Sequence, residues 1–410
     1  MHIIRIANIL ESNAKVRIIC NRIRDEGTMT EREQQILAWI QQNPMISQQE
    51  LANLAGITRS GVAAHISNLV RKGYLRGKGY IVTPPSYVTV VGGISMDVLG
   101  IACGDLMDYT SNASRVRYML GGVGRNIAVA LERLNVRTSM VSVYGGDHNG
   151  ELFRIDAAAN GLDIGYAKQL PDSMTASYMY VGDASGQRLL ALDDMSIYDH
   201  MTPDFLRERM SIIENADILV MDTNIPQKSL EWLCDRYRRP IVVRAITDAK
   251  APRVLSRLSK IDTLVLDTAE SQALTGINAI DERSAVRCAS VLLKRGVKHV
   301  FVNAGRAGVA YGVADEGVSF YPVPVKRVQR MMLAHGNGSD GVKAVGNDNG
   351  SSDTATAALI YARYNDFDSA KTGRFAVAAA ALNTESMQPV HESFTPELVA
   401  SRMDGIHERA

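Results

Sequence analysis

Polar and apolar positions follow a helical period first and a strand period afterwards. From Met29 the chain reads Thr30-Glu-Arg-Glu33, a hydroxyl cap answered three residues later by an acid. Ile36, Leu37 and Ile40 then share one helical face until Asn43-Pro44 stops the pattern. Ser47-Gln-Gln-Glu50 repeats the signal and opens a helix through Leu51 and Leu54. Ala55-Gly56-Ile57 turns the chain, and Thr58 starts RSGVAAHISNLVRKG with Val62, Ile66, Leu69 and Val70 inward. YLRGKGYIV alternates around Gly77 and Gly79 like a hairpin. Beyond Pro84-Pro85 the pattern changes to YVTVVGG, TSMVSVYG, DILVMD, PIVVRA, DTLVLD and HVFVNAG. These continuous apolar runs end in small or polar residues, as parallel strands buried on both faces do. Helical stretches lie between most of them, and PELVASRM makes one further helix near the end.

Three short helices and a hairpin make residues 29–83 a winged helix-turn-helix. Residues 84–86 read as a linker, 87–391 as an α/β unit on a doubly wound, mostly parallel sheet, and 392–410 as a helix and tail. Ligands of such sheets sit beyond the carboxyl ends of the strands, so polar residues ending the strands are the first candidates for chemistry. Residues 1–28 have scattered basic residues without the ordered regions of a signal peptide. They read as an extension, with Met29 the expected natural start.

A chain of 410 residues with 46% apolar and 22% charged positions has room for such units and the balance of a globular protein. The formal charge of +1 gives no global pull toward nucleic acid or membrane. No apolar run approaches the ~18 residues of a membrane span. Cys20, Cys103, Cys234 and Cys288 are scattered without a CxxC pair, which fits a reducing cytoplasm and neither a zinc site nor a disulfide framework. A basic patch is therefore local. Arg59, Ser60, His65, Arg71, Lys72, Arg76 and Lys78 fall on the third helix and hairpin, where acids are nearly absent. Arg59, Ser60 and His65 are candidates for base edges, and the wing residues for phosphates. Double-stranded DNA is the expected partner, bound by a homodimer; a protein-interaction module with solvated charges is the competing reading.

Three stretches of the α/β unit carry candidate chemistry. Asp97, after Gly92-Gly-Ile-Ser, is a carboxylate beyond the first strand, suited to accept from sugar hydroxyls or to cap a turn. GGVGRNIAVALERL opens a helix on glycines that admit close backbone approach, with Asn126 in its first turn. It does not match GxGxxG, since Ile127 stands at the third glycine position. GNGSDGVK, residues 336–343, fails as a P-loop because Val342 replaces the lysine. GNDNGSSDTAT, residues 346–356, bends into a helix whose first amides would hold an anion, with Asp353 within reach as a general base. A serine-capped helix start is the plain alternative.

The order of these features resembles the ribokinase-like (PfkB-type) sugar and nucleoside kinases over roughly residues 87–388. It most resembles pseudouridine kinases and relatives with an N-terminal helix-turn-helix. GGVGRNIA, TASYMYVGDASGQRLLALDDMSI and ALIYARYNDFDSAKTGRFAVAAAAL carry the likeness. The resemblance implies an ATP- and Mg2+-dependent kinase, with a monovalent cation such as K+ also admitted, acting on the 5′-hydroxyl of a nucleoside or on a sugar. It implies Asp353 as catalytic base, with Gly350, Ser351 and Ser352 as the anion hole. Asp97, Gly121, Gly122, Asn126 and Asn224 would hold the acceptor. Asn303, Gly305, Gly308 and Asn383 would receive the nucleotide, and Glu270 with Asp267 would organise magnesium through water. A small β lid, within residues 99–120 and 175–194, is expected to cover the substrate and mediate dimerisation.

The chain also departs from the pattern. The usual Asp-Thr-Thr-Gly-Ala-Gly-Asp loop reads Asn347-Asp-Asn-Gly-Ser-Ser-Asp353, which strains the backbone if position 352 needs positive φ. Asp267 replaces the Asn of Asn-x-x-Glu, and Asn303 and Ala304 replace a usual Thr and a longer residue. Ser95 stands where Asn is common. MLAHGNGSDGVKAVGNDNG is long and expected to be mobile. These departures motivate a second reading, a transcription regulator whose kinase-like domain senses a ligand.

Overall fold

The computed structural model describes residues 29–43, 46–72, 74–76, 81–82, 86–184, 188–322 and 350–409. They form two compact units that divide between residues 85 and 86. The extension 1–28, the Pro84-Pro85 linker, Gly77, Lys78 and Gly79, and the segment 332–349, which holds GNGSDGVK and Asn347-Asp-Asn, lie outside the described residues.

In the first unit α1 (Glu31–Gln42), α2 (Gln48–Ala55) and α3 (Arg59–Arg71) precede strands β1 (Leu75–Arg76) and β2 (Ile81–Val82), which pair antiparallel. Both capping boxes form, Thr30 with Glu33 and Ser47 with Glu50. Gly56 takes φ 63°, ending α2 in the left-handed region. Ile36, Ile40, Leu51, Val62 and Leu69 make a fully buried core. Val70, expected to be inward, is 45% exposed, and Leu54 of α2 is 55% exposed. Val62, Ile66 and Leu69 already complete the inner stripe of α3, and Val70 lies about 100° round from Leu69. On α2, Ala55 takes the buried place beside Leu51 and Ala52.

The second unit is an eight-stranded sheet in the order β16-β15-β14-β13-β12-β11-β3-β6. Its parallel strands are β3 (Val88–Val91), β6 (Thr138–Val141), β11 (Ile218–Asp222), β12 (Ile241–Arg244), β13 (Thr263–Asp267) and β14 (His299–Asn303). β15 (Gly308–Val313) and β16 (Gly317–Pro322) add an antiparallel edge. Alternate residues feed two cores. Val90, Val220, Val242, Val265 and Phe301 pack under α4 (Val123–Arg133), α6 (Ser351–Tyr364) and α7 (Ser369–Asn383). Leu219, Met221, Val243, Leu266 and Val302 face the other core, with Leu274 of α5 (Thr268–Thr275). Burial on both faces is why the strands read as unbroken apolar runs.

A four-stranded lid, order β10-β9-β4-β5, is built from β4 (Ser95–Ala102), β5 (Ser114–Gly121), β9 (Ser177–Gly182) and β10 (Arg188–Asp194). A short parallel pair, β7 (Val143–Gly145) and β8 (Lys168–Leu170), completes the strands. Asp97, Tyr178 and Asp193 lie opposite one another across β4, β9 and β10, so they share one lid face. Val98, Tyr118, Met179 and Leu192 share the other. Among the described residues no helix is long and apolar enough to cross a membrane.

Candidate active site

Gly350 caps α6 with φ 83°, and an added Cβ would lie 1.9 Å from the Pro389 carbonyl. Only glycine makes this bend. The amides of Ser351, Ser352 and Asp353 in the following turn have no acceptor within the helix. The positive φ thus falls on the retained glycine; Ser352 is helical and lies outside the positive-φ set. The serine causes no backbone strain. Its hydroxyl donates to Asp267 Oδ1 at 2.5 Å and accepts from Asn303 Nδ2 at 3.1 Å. Ser351 Oγ is buried with no hydrogen-bond partner among the described residues.

Asp353, 4% exposed, accepts a 2.9 Å hydrogen bond from Asn126 Nδ2. Arg125 orients that amide by donating to Asn126 Oδ1 at 3.2 Å, while pairing with Asp156 at 2.7 Å. Asp97 is held by Ser95 Oγ at 2.8 Å. Burial pushes Asp97 up to about 7, against the Ser95 hydrogen bond and helped by the nearby Asp353 charge. Burial likewise pushes Asp353 up to about 6, although Arg244 and Asn126 oppose the shift. Asp97 and Asp353 are therefore electrostatic neighbours, brought together from positions 256 residues apart in the chain (353 − 97). Gly121 is required here, since a Cβ would meet Asp97 Oδ2 at 2.2 Å. Gly122, at φ 93°, closes on Gly93 and Ile94. Asn224 accepts from Lys250 Nζ at 3.1 Å, and the same ammonium reaches Asp193 of the lid at 2.6 Å.

The carboxyl ends of four neighbouring strands supply the remaining charges. Asp222 of β11 lies opposite Arg244 of β12, and Asp267 of β13 opposite Asn303 of β14. Asp222 braces the glycine turn by accepting from Gly93 N at 2.7 Å and Asn224 N at 2.9 Å. Arg244 donates to Asp267 and stands 3.4 Å from Asp353 Oδ1. Asn303 Nδ2 donates to Asp267 at 3.0 Å, and Gly305 N returns a bond to Asn303 Oδ1 at 3.0 Å. Glu270 accepts from Asp267 N at 2.9 Å and is raised by burial. A buried carboxylate in the first turn of a helix, with a second buried carboxylate close by, is an arrangement able to serve phosphoryl transfer to a hydroxyl.

Residues 85–329 match the model of the pfkB family of carbohydrate kinases. The chain belongs to the pfkB family. Residues 29–76 match a winged helix-turn-helix DNA-binding family. The chain is 31% identical to the uncharacterized sugar kinase YeiI of Escherichia coli K12, covering 87% of this chain and 94% of that one. It is 29% identical to the pseudouridine kinase of the same bacterium, over 58% of this chain and 77% of the relative. In fold it matches the Arabidopsis thaliana ribokinase solved with ribose and ATP, with a TM-score of 0.61 and 19% identity, over 78% of this chain and 99% of that one.

Within the second unit, Asp97, Asn126, Asp353, Asp267, Asn303 and Ser352 converge through direct contacts or close charges. Two residues expected to receive nucleotide have other work. Asn383 is fully buried; its amide donates to the Pro389 carbonyl at 3.1 Å and accepts from His391 N at 2.9 Å. It braces the backbone behind Gly350. Gly308 is a strand-pairing requirement, because a Cβ would stand 2.3 Å from the Tyr321 carbonyl. Gly305, at φ 59°, is exposed at the end of β14. For magnesium, no three His, Cys, Asp or Glu side chains form a direct shell among the described residues. Glu270 and Asp267 fit the looser duty of holding metal-bound water. The unpaired, buried Ser351 hydroxyl at the head of α6 fits a phosphate. Sequence reasoning passed over Arg244, although an arginine ending a buried parallel strand is itself a signal.

In the winged unit Arg59 and Ser60 are exposed at the start of α3, and His65 is half-buried one turn on. Arg71 ends α3 and Arg76 lies in β1. Lys72 is corrected: its ammonium, 8% exposed, pairs with buried Glu33 at 2.8 Å. It ties α3 to α1 and is not presented to phosphates.

Proposed function

We propose that the chain is an ATP-dependent kinase that phosphorylates a primary hydroxyl of a nucleoside or sugar, with pseudouridine the first acceptor to test. The hydrogen bond from Asn126 to Asp353 carries this reading, because it sets the base beside the acceptor site. Asp97 and Asn126 hold acceptor hydroxyls. Asp353 takes the proton from the attacking oxygen, and the first amides of α6 with the Ser351 hydroxyl hold the transferred phosphoryl group. Glu270 and Asp267 would hold waters of a Mg2+ ion, which when bound offsets phosphate charge. The likeness to the pseudouridine kinase supports the choice of acceptor. The winged unit supports double-stranded DNA as a second partner, through Arg59, Ser60 and His65.

The outer lid face supports a homodimer. Tyr118, Leu192, Leu190, Val116 and Met179 are each at least 46% exposed on one side of the lid sheet. A contiguous apolar sheet face is suited to a self-complementary contact with a second copy.

ADP release with pseudouridine, uridine, ribose and fructose tests the catalytic reading. Turnover of pseudouridine well above the other three is the expected result. No turnover with any acceptor, together with thermal stabilisation by pseudouridine, would establish the second reading, a ligand-sensing regulator. The Arg244–Asp353 contact favours that alternative, since a cation beside a base lowers its appetite for protons.

A further inference from the structure

Arg244 ends β12 between the tips of β11 and β13, and its side chain is 7% exposed. A guanidinium has donors on three nitrogens in a fixed fork. Here Nη1 donates to the Ala245 carbonyl and Nη2 to Asp267. Nε stands 3.4 Å from Asp353 Oδ1, but its N–H is misdirected for a hydrogen bond and finds no partner among the described residues. A buried cationic N–H without an acceptor is costly. An arginine serving only to neutralise Asp267 would not need that donor beside the base. Ser351 Oγ, in the first turn of α6, is also buried without a partner among the described residues. Arg244 Nε is the one that stands beside Asp353, and Ser351 lies two residues before that acid on α6. An incoming oxygen that carries negative charge would satisfy the Arg244 donor.

We propose that Arg244 contacts the phosphoryl group in flight, its Nε–H meeting a non-bridging oxygen beside Asp353. The proposal rests on the kinase reading. In the step, the acceptor oxygen bonds to the γ-phosphorus and its proton goes to Asp353. The bond from that phosphorus to the β,γ-bridging oxygen breaks, and ADP leaves with the electron pair. Arg244 exchanges no proton. It sets a positive charge against the non-bridging oxygens, where a fixed dipole or cation acts most strongly in a water-poor site. Asp267 and the Ala245 carbonyl are the positioning groups, because they hold two arms of the fork and leave the third for the ligand.

The test uses the full chain with four proteins: wild type, Arg244→Lys, Arg244→Gln, and the charge-balanced double variant Arg244→Gln/Asp267→Asn. The double variant guards against unfolding of a cleft left with unpaired acids. Calorimetry measures ADP and a non-hydrolysable ATP analogue, and ADP release with the best acceptor gives kcat and KM. Loss of Arg244 should leave ADP affinity and acceptor KM within about threefold. It should lower kcat by about 10²–10³-fold and erase about tenfold of the preference for the triphosphate over ADP. Arg244→Lys should recover little, since an ammonium cannot place a donor at Nε while also holding Asp267. Variants that keep kcat and the triphosphate preference within threefold would overturn the proposal, as would faster variants, which would make Arg244 a brake on Asp353. If wild type turns over no acceptor, the kinase reading fails while the calorimetry still judges Arg244. Lost triphosphate preference in the variants would then support the contact, and unchanged preference would overturn it. A wild type that binds neither nucleotide overturns both.

Discussion

Replacing Asp353 by Asn should separate catalysis from stability in opposite directions. The amide keeps the side chain's shape and can still accept from Asn126, while the charge is removed. Burial raises the carboxyl from 3.8 to about 6 even with Arg244 nearby. At roughly 1.4 kcal/mol per unit, holding this group ionised costs about 3 kcal/mol in the folded chain. The unfolded carboxyl ionises from about pH 4, and the folded one only above about pH 6. The cost is therefore absent below pH 4, grows between about 4 and 6, and is constant above that. Asp353→Asn should gain up to about 3 kcal/mol over wild type at pH 8 and nothing at pH 4. Turnover should fall by about 10²–10⁴-fold, the usual worth of a general base. Urea unfolding at several pH values and ADP release on the same preparations measure both. Equal kcat would remove Asp353 as the base. A variant less stable than wild type at pH 8 would show that the acid serves mainly as Arg244's partner, and would refute the burial argument.

Four further outcomes are expected. Ser352→Gly restores the more common loop but should not raise kcat, because residue 352 is already helical; the unfolding free energy from urea titration should drop by about 1 kcal/mol from the glycine and the lost hydroxyl, and a faster variant would refute this. Arg59→Ala should weaken DNA binding by about 1–3 kcal/mol without unfolding the winged unit, whereas Lys72→Ala should destabilise that unit by about 3 kcal/mol by leaving Glu33 buried and unpaired; fluorescence anisotropy across a salt series and circular dichroism of the full chain distinguish them. Leu192→Asp, on the outer lid face, should weaken self-association at least about tenfold and leave monomer folding intact, as sedimentation would show.

The fold was legible where physics is repetitive. Six apolar runs announced the parallel strands, because burial on both faces removes alternation. The capping boxes at Thr30 and Ser47 were legible because each is a local exchange of hydrogen bonds. β15 and β16 were not read as strands, since their short, glycine-containing runs depend on pairing with β14. The site was half legible. Gly350 and Asp353 sit in one local motif, and Asn126 follows a glycine turn. The bonds of Asn383 to Pro389 and His391 were not legible, because nothing local says which backbone a buried amide will brace. Lys72 was misjudged because its partner, Glu33, lies 39 residues earlier. Arg244 carried a usable signal, its place at a strand's carboxyl end, but its two acidic neighbours arrive from β13 and α6.

The residues at 244, 267 and 352 make sense only together. An asparagine at 267 would meet the Arg244 guanidinium without a compensating charge, leaving a buried cation with Asp353 as its main counter-ion. Asp353 would then be bound more firmly as a carboxylate and be a poorer base. With Asp267 present, the guanidinium has a nearer acid, and its approach to Asp353 is loose enough to miss hydrogen-bond geometry. Asp267 also brings a second acceptor oxygen, Oδ1, which takes the Asn303 amide and the Ser352 hydroxyl while Oδ2 takes Arg244. A glycine at 352 could not make that bond. A decayed cradle would leave mismatched polar groups where ligands once bound. Here the altered side chains satisfy one another, and the two buried atoms they leave unmatched, Arg244 Nε and Ser351 Oγ, belong to residues at the cleft's own strand end and helix start. That pattern is what a site built to receive an anion requires, and it is why the kinase reading is preferred to the sensor.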